Sequence, residues 1–293
     1  MDGAHTYDVI IENQSAIKET ADSENAITQY VKIDVFTGLD MELVTAIAGG
    51  LNSAVQVSAT SLANNDKKFK WIQDEIKDES YFSQVAFRQG EADPAYDVGD
   101  ILKILDLFNI SDFTNEGTVY PLRAYSSKEA VLDAYLKKPA NYERLRPILK
   151  DILILHDYIS SEAGSLHNKA NSGKAGSLAF MSAPRKSQFL FIGTDGLNGK
   201  DSISRPVRGA LYPILGAFRW MVVDDEATGK TKWRGSFEDV VDLWRSIGGE
   251  LMLATQSTSD NNSKNPNAIG KDRNHWATLH STVIRRQLTK PTK

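Results

Sequence analysis

The clearest alternation of apolar and polar positions runs over residues 30–36, where Val31, Ile33 and Val35 interleave with Lys32 and Asp34. A period of two puts one set of side chains on a buried face and predicts a half-buried strand. Beyond Gly38, Asp40 can cap a helix that carries Leu43, Val44, Ile47 and Leu51 on one side, with Glu42 in the first turn, where the helix dipole favours a carboxylate. Gly49 and Gly50 end that helix, and the polar stretch 52–58 leads into a second one over 61–76 along Leu62, Phe69, Ile72 and Ile76. Ahead of the strand, 7–12 fits either a short strand or the first turns of a helix, and the helix is preferred.

Helical spacing dominates the rest. Residues 97–109 align Val98, Ile101, Leu102, Leu105 and Phe108, after a short extended segment over 81–88. Ser126-Ser127-Lys128-Glu129 has the form of a capping box and opens a helix through Lys138, stopped by Pro139. A domain boundary is expected there, dividing the chain into 1–139 and 140–293. The second part reads as mainly helical: 142–161 around Leu149, Ile152, Leu155 and Ile159, with Pro147 tolerated in the first turns, then 204–223 and 236–253, separated by a polar turn over 224–230. Stretches 160–186 and 255–271, rich in Ser, Asn, Gly and Lys, read as loops. The fold class is therefore α+β, a small N-terminal sheet with helices followed by a mainly α-helical region.

Composition narrows the functional classes. The 293 residues, 41% hydrophobic and 25% charged, are globular usage, and the net charge of −4 supplies no overall cationic field for DNA or anionic lipid. With no cysteine there is no disulfide, thiolate zinc site or cysteine nucleophile, in keeping with a reducing, cytoplasmic setting. No run approaches the roughly 18 apolar residues of a membrane span, so no membrane association is expected.

Candidate chemistry is sparse. Gly193 to Lys200 resembles a phosphate loop but has five residues between its glycines, and Asp201 follows the lysine where the Walker pattern needs a magnesium-holding hydroxyl. Asn171-Ser172-Gly173-Lys174 lacks the first glycine. The histidines His5, His156, His167, His275 and His280 have no metal-ligand spacing; His275 and His280 on one helix would point about 140° apart. No metal site and no cofactor are assigned. Aromatic and basic residues mix at Phe218-Arg219-Trp220, Trp233-Arg234, Trp244-Arg245 and around Trp276, a pattern that can serve nucleic acid. The preferred reading makes Trp220 and Trp244 core anchors whose neighbouring arginines reach the surface.

One constellation is specific. Asp2-Gly3-Ala4-His5-Thr6, the strand over 30–36, Gly38-Leu39-Asp40 and the segment Gly50 to Ser58 together resemble the AIPR family, named for abortive infection and phage resistance. More distantly they are similar to proteins with an Asp-Gly-Gln-His-Arg motif, among them DNA-sulfur-modification regulators and ParB-like proteins. Ala4-His5-Thr6 replaces Gln-His-Arg, so the arginine that would meet a phosphate is missing, and Met1 directly precedes a motif that family members usually carry after a long region. A truncated start is therefore expected. The resemblance implies a ParB-like N-terminal sheet and a polar binding cleft lined by Asp2, Gly3, His5, Thr6, Asn52, Gln56 and Ser58. A turn made by Asp2 and Gly3 ahead of a helix would leave N–H groups for an anion. The implied role is phage resistance through DNA or a nucleotide signal in the cytoplasm. The alternative is a non-catalytic scaffold or sensor partnered with a separately encoded nuclease; a protein partner or homo-oligomer fits either.

Overall fold

A computed structural model of the chain describes residues 67–87, 96–182, 189–193 and 204–289, together with Ile11, Gly38 and Asp40. The chain divides into two compact units, Met1–Ser58 and Ala59–Lys293. In the first, Ile11 is helical and Gly38 takes a positive φ of 73°; the rest of 7–12 lies outside the described residues. The strand over 30–36 and the helix after Asp40 lie outside the described residues.

The second unit is mainly helical, with three two-stranded sheets among its described residues. The first helix, α1 (Lys70–Ile76), is shorter than the 61–76 expected, residues 67–69 forming turns and 61–66 lying outside the described set. The extended reading of 81–88 holds only at its end. A 3-10 turn, Phe82–Gln84, precedes β1 (Val85–Ala86), which pairs in parallel with β2 (Tyr96–Asp97). Asp97 caps α2 (Val98–Asp106), its carboxylate accepting from the backbone N–H of Asp100 at 3.1 Å. After α3 (Leu122–Ser126), Ser127 rather than Ser126 is the cap of α4 (Lys128–Lys137), accepting from the N–H of Ala130. Pro139 does stop α4, and at the same time it occupies the first turn of α5 (Pro139–Glu143), where its missing N–H costs nothing.

Two long helices form the frame of the unit. Helix α6 (Leu149–Asn171) and α8 (Phe237–Asn261) pack along each other so closely that a Cβ on Gly249 would stand 2.7 Å from Ala170 Cβ and 3.0 Å from the Leu166 carbonyl oxygen. Both run past their expected ends into stretches read as loops. The polar residues there satisfy themselves: Thr255 and Thr258 hydroxyls donate to the carbonyls of Leu251 and Ala254, one turn back. Meanwhile Ile159, Ala163 and His167 in α6, and Thr255 and Ser259 in α8, face the interior at helical spacing. The remaining part of the second loop is α9 (Pro266–Lys271), capped by Asn265, followed by α10 (Arg273–Leu288), capped by Asp272.

Helix α7 (Arg208–Ala217) lies at the centre, with every residue from Gly209 to Ala217 buried. It follows a short antiparallel pair, β3 (Met181–Ser182) with β4 (Arg205–Pro206). The single helix expected over 204–223 is instead three elements: α7, a 3-10 turn Phe218–Met221, and β5 (Val222–Asp225). β5 turns back through Gly229, at φ 66°, into β6 (Lys230–Trp233). Here the β-branched Val222 and Val223 and the alternation of buried Thr231 and Trp233 with exposed Lys230 and Lys232 override the helical reading. One continuous apolar cluster extends from Phe69 to Val283. Trp244 and Trp276 are enclosed in it, and Trp220 packs against it half-buried. No helix among the described residues is long and apolar enough to cross a membrane.

Candidate functional site

Asp2, Gly3, His5, Thr6, Asn52, Gln56 and Ser58 all lie outside the described residues. The polar groups of the second unit, by contrast, can be placed atom by atom. Its four described histidines, His156, His167, His275 and His280, are all buried. Each is held separately. His156 Nδ1 lies 2.9 Å from Asp157 Oδ1, while Asp157 Oδ2 accepts the backbone N–H groups of Phe191 and Ile192, an anchor for that segment. His167 Nε2 meets Gln256 at 2.8 Å. On α10 the predicted divergence holds: His275 faces Thr255 and Thr258 of α8, whereas His280 faces Ala217 and Asn115. Among the described residues no group of three or more His, Asp or Glu is arranged to hold a metal ion.

A surface cleft of about 360 Å³ is lined by Asp112, Arg123, Ala130, Asp133, Ala134, Lys137 and Lys138. Two of its lining residues, Asp112 and Arg123, belong to a part-buried charge network. Arg123 donates through Nε and Nη2 to both oxygens of Asp106, at 2.9 and 2.7 Å, and through Nη2 to Asp112 at 2.5 Å. Tyr142 donates to Asp106 at 2.6 Å, and Asn141 to Asp112 at 2.8 Å. Burial acts to lower the basicity of Arg123, yet the two carboxylates outweigh it and hold the guanidinium firmly protonated. Charges satisfied this fully stitch α2, α3 and α5 together and leave little for a ligand.

The opposite arrangement stands at the end of α7. Arg219, in the 3-10 turn, is completely buried, and none of its three guanidinium nitrogens has a hydrogen-bond partner. Its carbon lies 5.9 Å from the Tyr120 ring centroid. Burial pushes the guanidinium down to about 10, which still leaves it a cation at neutral pH. The indole Nε1 of Trp220, the next residue, and Oδ1 of Asn115, whose backbone carbonyl faces His280, are also buried without partners. His280 Nδ1 and Nε2 each lie 3.2 Å from a backbone carbonyl, those of Ala217 and Asn115, and its ring stands edge-on to Tyr120 and Trp220 at 5.9 and 6.5 Å. The sequence pattern predicts that the arginines beside tryptophans reach the surface. Arg245 does so, paired with Glu162 on α6, and Arg234 stacks on Trp220 at 4.8 Å, but Arg219 is corrected to the interior. It stands at the end of a wholly buried helix, in a turn whose Phe218 and Met221 are buried with it.

These features define a helix-rich α+β protein whose second unit concentrates its polar chemistry inside the core. A family model described as AIPR protein matches residues 1–265, and the chain belongs to the AIPR family. The family is named for abortive infection and phage resistance, and membership supports that role. No curated protein and no solved structure matches the chain.

Proposed function

We propose that this chain acts in phage resistance by engaging DNA or a nucleotide signal in the cytoplasm through a polar cleft made by Asp2, Gly3, His5 and Thr6 with Asn52, Gln56 and Ser58. The observation that carries the reading is the family match itself, which begins at residue 1 and includes both segments. Its physical support is that a glycine turn entering a helix presents free N–H donors, to which His5, Thr6 and Asn52 add side-chain donors for phosphate oxygens. A ParB-like sheet containing the strand over 30–36 would set the two segments side by side.

The test pairs plating efficiency of phage on cells expressing the chain with calorimetric nucleotide binding. His5→Ala and Asn52→Ala are each expected to weaken binding by roughly 1–3 kcal/mol, the worth of one hydrogen bond to a charged group, and to reduce protection while leaving the fold intact. Identical binding in both variants removes the cleft from the account. Metal-dependent nicking of plasmid DNA, lost on Asp2→Ala, would assign catalysis to this chain; protection without nicking would assign it to a scaffold or sensor working with a separate nuclease.

A further inference from the structure

A buried cation without a counterion is rare in a folded chain, because desolvated charge is tolerated only when paired or hydrogen-bonded. Arg219 has neither, and the neighbouring Trp220 N–H repeats the deficit. The unmet groups of Arg219 and Trp220 are donors, which an acceptor completes, and because the guanidinium is charged an anion completes it best; the one unmet acceptor named with them, Asn115 Oδ1, carries no charge to offset it. His280 adds a second mismatch. A neutral imidazole has one N–H, so of the two carbonyls facing its nitrogens, one meets a lone pair.

We propose that Arg219 and the indole N–H of Trp220 form a binding site for one oxyanion group, a phosphate or a carboxylate of a small molecule, which enters together with a proton taken up by the neighbouring His280, whose two ring nitrogens stay on their carbonyls. The anion gives the guanidinium and the indole the acceptor they lack. Burial, and with it the field of the guanidinium, pushes the His280 pKa down, and the anion's charge offsets that field. The titratable groups facing His280 among the described residues are Arg219 from the 3-10 turn, and Glu116 and Tyr120 from the loop before α3. Once Arg219 is neutralised, the imidazolium donates to both carbonyls and the mismatch disappears. The same loop covers the site. Glu116, Thr118 and Val119 are exposed on it, Tyr120 is half-buried, and side chains hold it through Asn115 Nδ2 to the Val222 carbonyl and Arg273 to the Thr118 carbonyl. Entry requires this strip to shift. The site is independent of the cleft placed at Asp2–Thr6 and stands or falls separately.

The experiment is calorimetric titration of the full chain with sodium sulfate and, separately, sodium acetate, at constant ionic strength and in two buffers of different ionisation heat. Both anions keep their charge at pH 6.5 and 8, so any proton uptake belongs to the protein. One saturable site is expected, weakened about tenfold or more by Arg219→Met and about threefold by Trp220→Phe, which keeps the ring and loses the N–H. Up to one proton should be taken up per anion, and none in His280→Gln. Tighter sulfate assigns a phosphate-like ligand and tighter acetate a carboxylate. Equal affinity in wild type and Arg219→Met, or no site at all, overturns the proposal, as it would if Arg219 simply turned to Asn115 Oδ1. Should the methionine variant fail to fold, unchanged affinity in Trp220→Phe overturns it instead. Anion binding with no proton uptake overturns the part played by His280.

Discussion

Arg123 and Arg219 carry the same side chain into the fold, one part-buried at the edge of a cleft and one fully enclosed, and meet opposite treatment there. Arg123 finds two carboxylates and through them ties α3 to α2 and α5, whereas Arg219 finds an aromatic ring and no acceptor. The difference teaches how to separate structural charge from functional charge. A charge that the fold itself neutralises is explained by the fold; a charge it leaves bare calls for something outside it.

The contrast can be broken most forcefully at Arg123. Replacing it by methionine strands Asp106, fully buried, beside Tyr142 as its remaining donor, and is expected to destabilise the chain by about 3–5 kcal/mol in urea unfolding. Restoring neutrality with Asp106→Asn in the same chain should recover much of that loss. A cost under about 1 kcal/mol for the single change would mean that the network contributes as little as an exposed pair.

A buried histidine of α10 supplies a smaller test of the same interior. His275 lies between the hydroxyl oxygens of Thr255 and Thr258, and burial lowers its pKa from 6.5 to about 4. A depressed value means that the unfolded chain binds the proton first. The stability due to neutral His275 is therefore full above pH 6.5 and is lost as the pH falls toward 4. His275→Gln should remove that part of the acid limb, roughly 3 kcal/mol of differential stability between neutral pH and pH 4. Parallel pH profiles for the two chains would contradict it.

A third change asks whether the backbone that presents Arg219 is fixed. A Cβ at Gly209 would stand 2.2 Å from the carbonyl oxygen of Pro266, a backbone atom that no rotamer change can move. Gly209→Ala is expected to cost about 1–3 kcal/mol by forcing α7 and α9 apart. A neutral result would show α7 free to slide, and the position of Arg219 less determined than its burial implies.

Legible and hidden features of the sequence divide along the same physical line. Apolar stripes at helical spacing announced α2 and α6, because burial of one face is written directly in residue order, and a capping sequence closed by a proline announced α4. The polar tails of α6 and α8 were hidden, since Ser and Thr read as loop residues unless their hydroxyls bond one turn back. The β5–β6 hairpin was legible in the alternation of Lys230 to Trp233 but was overshadowed by the apolar run before it. Arg219 could not be found, because a charged residue beside tryptophan looks alike whether it snorkels or is enclosed. The residues that the family resemblance singled out, from Asp2 to Thr6 and from Asn52 to Ser58, lie outside the described residues and rest on the resemblance and the family match alone.

The most direct measurement of the contrast is the sulfate dependence of unfolding free energy for wild type, Arg123→Met and Arg219→Met at constant ionic strength. Without sulfate, Arg219→Met should equal or exceed wild type by about 1 kcal/mol, as when a bare buried charge gives way to an apolar side chain of similar length. As sulfate is added, wild type and Arg123→Met should both gain stability, by about 2.7 kcal/mol at a hundred times the dissociation constant, while Arg219→Met shows only the slight general effect of the salt, so that its curve crosses that of wild type. Three parallel curves would contradict the account.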